Sequence, residues 1–159
     1  INQALYLIYE SLLESDIQII WQTGGAHFKE YKHKVKQHKG LYLIDFIANM
    51  EFAYAASDLI ISRAGASSLS ELMAVLKPAI LVPSPYVAED HQTKNAMNLV
   101  EKNAARMVKD FEMKDKFWNT LSEICENEKV RKEMSENLKY FAKPNAAKEI
   151  VDEIFKVIK

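Results

Sequence analysis

Asp58-Leu59-Ile60-Ile61-Ser62-Arg63-Ala64-Gly65-Ala66-Ser67-Ser68-Leu69-Ser70-Glu71 carries the strongest indication of fold class in this chain. It starts with an uninterrupted apolar run, Leu59-Ile60-Ile61, rather than a polar–apolar alternation. That pattern belongs to a strand buried on both faces. Ala64-Gly65-Ala66 then supplies a turn of small residues. Helical composition follows over residues 67–76 until Lys77-Pro78 stops it. A buried strand that passes through a small-residue turn into a helix is half of a βαβ unit.

The same alternation continues in both directions. Upstream, Leu5, Ile8, Tyr9, Leu12 and Leu13 recur at helical spacing and predict an amphipathic helix over 2–14. Ile17-Gln18-Ile19-Ile20-Trp21 reads as a strand stopped by Thr23-Gly24-Gly25. A lysine-rich helix is expected over 27–37, a strand over 41–44 and a helix over 49–56. Downstream, a strand is expected over 79–83, a loop over 84–90, a helix over 91–102 and a short strand over 105–108. Residues 113–159 read as helical, broken at Lys143-Pro144, with a C-terminal helix over 144–159. Strands alternating with helices predict an α/β fold: a Rossmann-like, doubly wound parallel sheet covered on both faces. Such sheets bind ligands at the carboxyl ends of their strands, so the strand-to-helix loops should hold the chemistry.

Bulk properties narrow the classes. A length of 159 residues suits one domain over 1–159, and 48% apolar content is enough for a core. The 21 basic and 22 acidic residues nearly cancel, which argues against a nucleic-acid partner. A single cysteine, Cys125, excludes an internal disulfide and is expected to pack in the core. His27, His33, His38 and His91 show no metal-ligand spacing, and one cysteine cannot build a zinc site. No metal and no cofactor is expected. No apolar run approaches the ~20 residues a membrane span requires. Lys29, Lys32, Lys34, Lys36 and Lys39 read either as a solvated face or as a contact for anionic lipid or phosphate. The chain enters a helical pattern directly after Ile1, which reads as a fragment with something expected before that helix.

Three loops stand out. Residues 62–71 could hold a diphosphate, because free N–H groups and the dipole at a helix start attract anions and Ser67 and Ser68 add hydroxyl donors. The loop lacks the Walker and GxGxxG patterns. A second reading stands beside this one: Ser68-x-x-Glu71 matches a capping box in which Glu71 reaches back to the helix start. Pro83-Ser84-Pro85-Tyr86-Val87-Ala88-Glu89-Asp90-His91-Gln92-Thr93-Lys94-Asn95 is dense in side chains that can bond hydroxyls, with Gln92 and Asn95 on one helix face. Either it grips a polyhydroxylated ligand such as a sugar, or Asp90 is an N-cap and the rest is solvated. His91 could be a general base or a structural residue. Ile44-Asp45-Phe46-Ile47-Ala48-Asn49-Met50 could floor a flat base or belong to the core.

These segments resemble the MurG family. The residues that carry the likeness run from Ala53 to Leu72, then Lys77-Pro78-Ala79-Ile80-Leu81-Val82-Pro83 and Glu89-Asp90-His91-Gln92-Thr93-Lys94-Asn95-Ala96. It is strongest from Phe46 to Ala96. The resemblance implies the C-terminal, UDP-sugar-binding domain of a two-domain GT-B glycosyltransferase. The family moves N-acetylglucosamine from UDP-N-acetylglucosamine to a lipid-linked muramyl-pentapeptide in peptidoglycan synthesis, by an inverting, metal-independent displacement. The isoleucine matching Ile47 would hold uracil through its backbone, with Met50 nearby. Ala66, Ser67, Ser68, Leu69, Ser70 and Glu71 would surround diphosphate and ribose, Glu71 taking the ribose hydroxyls. Gln92 would contact the sugar, with His91 and Asn95 beside it.

The resemblance also implies parts that this sequence does not contain: a glycine-rich loop with a phosphate-contacting serine, and an N-terminal domain carrying the acceptor site, the membrane-facing surface and the catalytic base. No catalytic residue is therefore expected here, and the chain alone should be inactive. The whole enzyme would sit peripherally on the cytoplasmic side of the bacterial plasma membrane. The alternatives are a related UDP-sugar enzyme (a diacylglycerol galactosyltransferase or an epimerase), a UDP-sugar-binding subunit working with a partner chain, and a regulatory nucleotide-binding domain without catalysis.

Overall fold

The computed structural model describes residues 1–158. Its elements alternate as the sequence predicts: α1 (Asn2–Glu14), β1 (Ile19–Gln22), α2 (Gly25–Lys34), β2 (Leu41–Ile44), α3 (Met50–Ala56), β3 (Ile60–Ser62), α4 (Ala66–Val75), β4 (Ala79–Leu81), α5 (His91–Val100), β5 (Arg106–Met107), α6 (Met113–Glu126), α7 (Glu128–Leu138) and α8 (Ala146–Val157). All strand pairs are parallel. They form two ladders, β1-β2 and β3-β4-β5. Ile19 stands opposite Leu41 in the first, and Ile61 opposite Ile80 in the second.

Both faces of the strands are covered, and β4 shows how. Successive strand residues point to opposite faces. Ile80 and Val82 enter one apolar cluster, while Ala79 and Leu81 enter the other. The first cluster takes Leu5, Tyr9 and Leu12 from α1, Phe117, Leu121 and Ile124 from α6, and Met134 from α7. Trp21 and Tyr31 pack within it, ring centroids 5.1 Å apart. The second cluster takes Leu69 and Leu72 from α4 and Ala96 and Leu99 from α5. The 3.6-residue spacing of the apolar positions in α1 explains its docking, since all three lie on one face.

Differences from the predicted boundaries have local causes. The lysine-rich helix ends at Lys34, and its charges stay in water, Lys34 pairing with Glu30 at 2.6 Å and Lys36 with Glu10 at 2.9 Å. Helix α4 ends where Leu76 turns left-handed (φ 55°), and Pro78 follows, which lacks the N–H to continue a helix. Cys125 is half-buried against the first cluster, and burial pushes its thiol pKa up. The C-terminal helix expected over 144–159 is α8. None of its residues is buried, and Ile150, Ile154, Phe155 and Ile158 are exposed; Lys159 lies outside the described residues.

Candidate functional site at the carboxyl ends of the strands

Three strand-to-helix loops leave the carboxyl ends of β2, β3 and β4, as a parallel sheet dictates. The β3–α4 turn is the simplest. Gly65 is the N-cap of α4, and no side chain caps the helix. The first intrahelical bond runs from the Leu69 N–H to the Gly65 carbonyl at 3.0 Å. The N–H groups of Ala66, Ser67 and Ser68 precede it and have no carbonyl within the helix to bond. Ala66 and Ser67 are exposed and Ser68 is half-buried. The helix start therefore presents donors at its positive dipole end.

The capping-box reading fails at this point. Because α4 begins at Ala66, Ser68 is already its third residue rather than its cap. Glu71 does not reach back to the helix start; its Oε2 accepts a 2.6 Å hydrogen bond from the Tyr54 hydroxyl on α3. Burial, then this bond, then the Glu71 charge push the Tyr54 pKa above its ordinary value of 10.0. Leu69 points into the core, and the Ser70 hydroxyl donates to the Ala66 carbonyl within α4 at 3.0 Å.

In the β4–α5 loop, Glu89 and Asp90 are both left-handed (φ 53° and 52°). Asp90 stands at the N-cap position, but its carboxylate accepts from the Thr93 hydroxyl at 2.6 Å rather than from a helix-start N–H. His91 is exposed. Gln92 turns inward, and its Oε1 accepts from the Ser84 N–H at 2.9 Å. One turn on, Asn95 Nδ2 donates to the Ala64 carbonyl at 3.5 Å, tying α5 to the β3–α4 turn. Gln92 and Asn95 thus share the face turned towards the loops.

In the β2–α3 loop, Phe46 is 67% exposed, so it does not belong to the core; Ile47 and Met50 are half-buried. The Ile47 N–H donates to Gln22 Oε1 at 2.8 Å. Gln22 closes β1, and beyond it Gly24 takes φ 79°, ψ 147° as its N–H reaches the Asp45 carbonyl at 3.1 Å. That backbone region is essentially closed to residues with a Cβ.

Arg63 fastens the loops together. Its Nη1 donates to the carbonyls of Val82 at 3.2 Å and Pro83 at 3.1 Å, and to Asp110 Oδ1 at 2.5 Å. The loops after β3, β4 and β5 meet on this one guanidinium. Gln22, Tyr54 and Arg63 all escape a reading of the sequence, because their partners lie 25, 17 and up to 47 residues away. Only Gln22 carries a signal, as the polar last residue of an apolar strand. No group of three or more His, Cys, Asp or Glu able to hold a metal occurs among the described residues.

The model of the glycosyltransferase family 28 C-terminal domain matches residues 1–150. The chain belongs to that family.

Among its curated relatives, UDP-N-acetylglucosamine--N-acetylmuramyl-(pentapeptide) pyrophosphoryl-undecaprenol N-acetylglucosamine transferase of Flavobacterium psychrophilum is 42% identical over 99% of this chain and 43% of its own length. The protein of the same name from Cytophaga hutchinsonii is 46% identical over 99% of this chain and 42% of its own length. A crystal structure of MurG from Acinetobacter baumannii superposes with a TM-score of 0.76 at 29% identity, covering 97% of this chain and 46% of that one. The family's fold, an α/β domain with parallel strands matching the C-terminal domain of a GT-B glycosyltransferase, is therefore the fold of this chain. The chain spans less than half the length of these relatives.

Proposed function

We propose that this chain is the donor-binding half of an N-acetylglucosaminyltransferase that carries N-acetylglucosamine from UDP-N-acetylglucosamine to a lipid-linked muramyl-pentapeptide during cell-wall biogenesis. The observation that carries the reading is the uncapped start of α4, whose free N–H groups stand on the helix that also bears Glu71. A diphosphate placed there meets backbone donors without desolvating a side-chain charge. The names of the family relatives supply the identity of donor and acceptor.

In this reading the N–H groups of Ala66, Ser67 and Ser68 hold the diphosphate, with Leu69 and Ser70 building the helix beneath them. Glu71 accepts the ribose hydroxyls. Ile47 and Met50 border the base, and Ile47 reads its edge through backbone groups. Gln92, with His91 and Asn95 beside it, takes the sugar hydroxyls. The acceptor hydroxyl attacks the anomeric carbon and the bond to the diphosphate oxygen breaks with inversion. Charge grows on that oxygen, and the fixed N–H dipoles stabilise it without reorganising. The acceptor's proton goes to a base supplied by the rest of the enzyme, outside this chain. On this reading the whole enzyme works peripherally on the cytoplasmic face of the bacterial plasma membrane, where a lipid-linked acceptor meets a nucleotide-sugar donor. No helix of the described residues is long and apolar enough to cross a membrane.

Calorimetric titration of UDP-N-acetylglucosamine, UDP, UDP-galactose and ADP into the chain tests the reading. Uridine-specific binding that weakens in Glu71→Ala and loses its sugar preference in Gln92→Ala is the expected result. Preference for ADP, or indifference to all uridine nucleotides even with the upstream glycine-rich loop of the relatives appended, would overturn it.

A further inference from the structure

We propose that Tyr54 is a positioning residue for ribose recognition: its hydroxyl fixes one oxygen of Glu71 so that the other is presented to the nucleotide. The inference rests on the donor reading above and adds a residue to it. Four observations carry it. The Tyr54 hydroxyl donates to Glu71 Oε2 at 2.6 Å. Its ring is held, because Tyr54 packs against the apolar cluster that also takes Leu69 and Leu72 of α4. Glu71 itself is exposed, so without the tyrosine its long side chain would sample several rotamers in water. Finally, Tyr54 stands on α3, whose first residue is Met50, while Glu71 stands on α4, whose first residues carry the free N–H groups. One hydrogen bond thus ties the helix after the base-bordering loop to the helix that faces the diphosphate.

The chemistry follows from the two oxygens. A carboxylate offers about four lone-pair sites, and Tyr54 occupies one on Oε2. Oε1 remains to accept from a vicinal pair of hydroxyls, a task that needs the carboxylate plane held still. Burial and the adjacent Glu71 charge both keep the tyrosine protonated, so it stays a donor through the neutral range. Ordering the carboxylate in advance removes an entropic cost that the nucleotide would otherwise bear on binding.

The test compares the chain with Tyr54→Phe and Glu71→Gln, each titrated calorimetrically with UDP and with 2′,3′-dideoxy-UDP. Tyr54→Phe keeps the packed ring and deletes only the hydroxyl. The expected result is that Tyr54→Phe weakens UDP by about threefold to tenfold, the worth of one ordered side chain, while dideoxy-UDP binds both chains equally. Combining Tyr54→Phe with Glu71→Gln should add no further loss for UDP. Equal weakening of both nucleotides would mean that Tyr54 only supports the fold, and would overturn the proposal. Unchanged UDP affinity in Tyr54→Phe would overturn it too, while leaving the donor reading intact. Failure of the unsubstituted chain to bind UDP even with the upstream glycine-rich loop appended would remove the donor reading itself, and this proposal with it.

Discussion

Replacing Arg63 with methionine should loosen the loops at the carboxyl ends of three strands at once. The guanidinium supplies donors to the Val82 and Pro83 carbonyls and pairs with Asp110. Val82 is fully buried and Pro83 is buried, so neither residue gains full solvation when the donor disappears. A buried acceptor left without a partner costs about 1–3 kcal/mol. The low end applies to each carbonyl, because the Arg63 side chain is itself 37% exposed and water can enter. The ion pair, at the surface, adds about 0–1 kcal/mol. Together these make roughly 2–3 kcal/mol, and at about 2–4 °C per kcal/mol for a domain of this size Tm should fall by roughly 4–12 °C. Urea unfolding followed by far-ultraviolet circular dichroism reads the change directly, and the slope m should stay constant because the same surface is exposed. Arg63→Lys should recover less than half of the loss, since the lysine stem is one bond shorter and its freely rotating ammonium is not held in the place where the planar guanidinium fixes Nη1. A stability for Arg63→Met within about 0.5 kcal/mol of the parent, the scatter of ordinary surface substitutions, would refute the reasoning. Full rescue by lysine would show that charge rather than geometry holds the loops.

Two further outcomes follow from single hydrogen bonds. In Gln22→Ala the Ile47 N–H loses its 2.8 Å acceptor; because that N–H is exposed, stability should change by less than about 1 kcal/mol, while amide hydrogen exchange at Ile47, followed by nuclear magnetic resonance, should speed up at least about tenfold. Tyr54, whose pKa is raised in the folded chain by burial first and then by Glu71, favours the protonated folded state, so its contribution to stability is complete below its ordinary value of 10.0 and is lost as pH rises beyond it; urea unfolding across this range should show a shallower alkaline decline in Tyr54→Phe than in the parent, and parallel curves would count against the hydrogen bond.

The candidate site was partly legible in the sequence. The three loops stand out because small residues, hydroxyls and amides cluster between an apolar run and a helical pattern, and these are local signals. The order of helices and strands was legible for the same reason, as the agreement over α1 and β2 shows. The spacing of Ser68 and Glu71 suits a capping box that the chain does not form. Spacing alone cannot say that α4 starts at Ala66 or that a tyrosine on the preceding helix holds the carboxylate.

The alternation of buried strands and amphipathic helices follows from the order of residues alone, since apolar periodicity and glycine or proline punctuation act within a few residues. Tertiary structure alone decided which side chains meet. Gln22 reaches Ile47 because β1 and β2 pair in register, Tyr54 reaches Glu71 because its ring packs against the apolar cluster that also takes Leu69 and Leu72 of α4, and Arg63 gathers three loops because β3, β4 and β5 are neighbours. These bonds span 17 to 47 residues, and their existence depends on strand order and helix docking, which the burial of two apolar faces fixes only once the whole chain has folded.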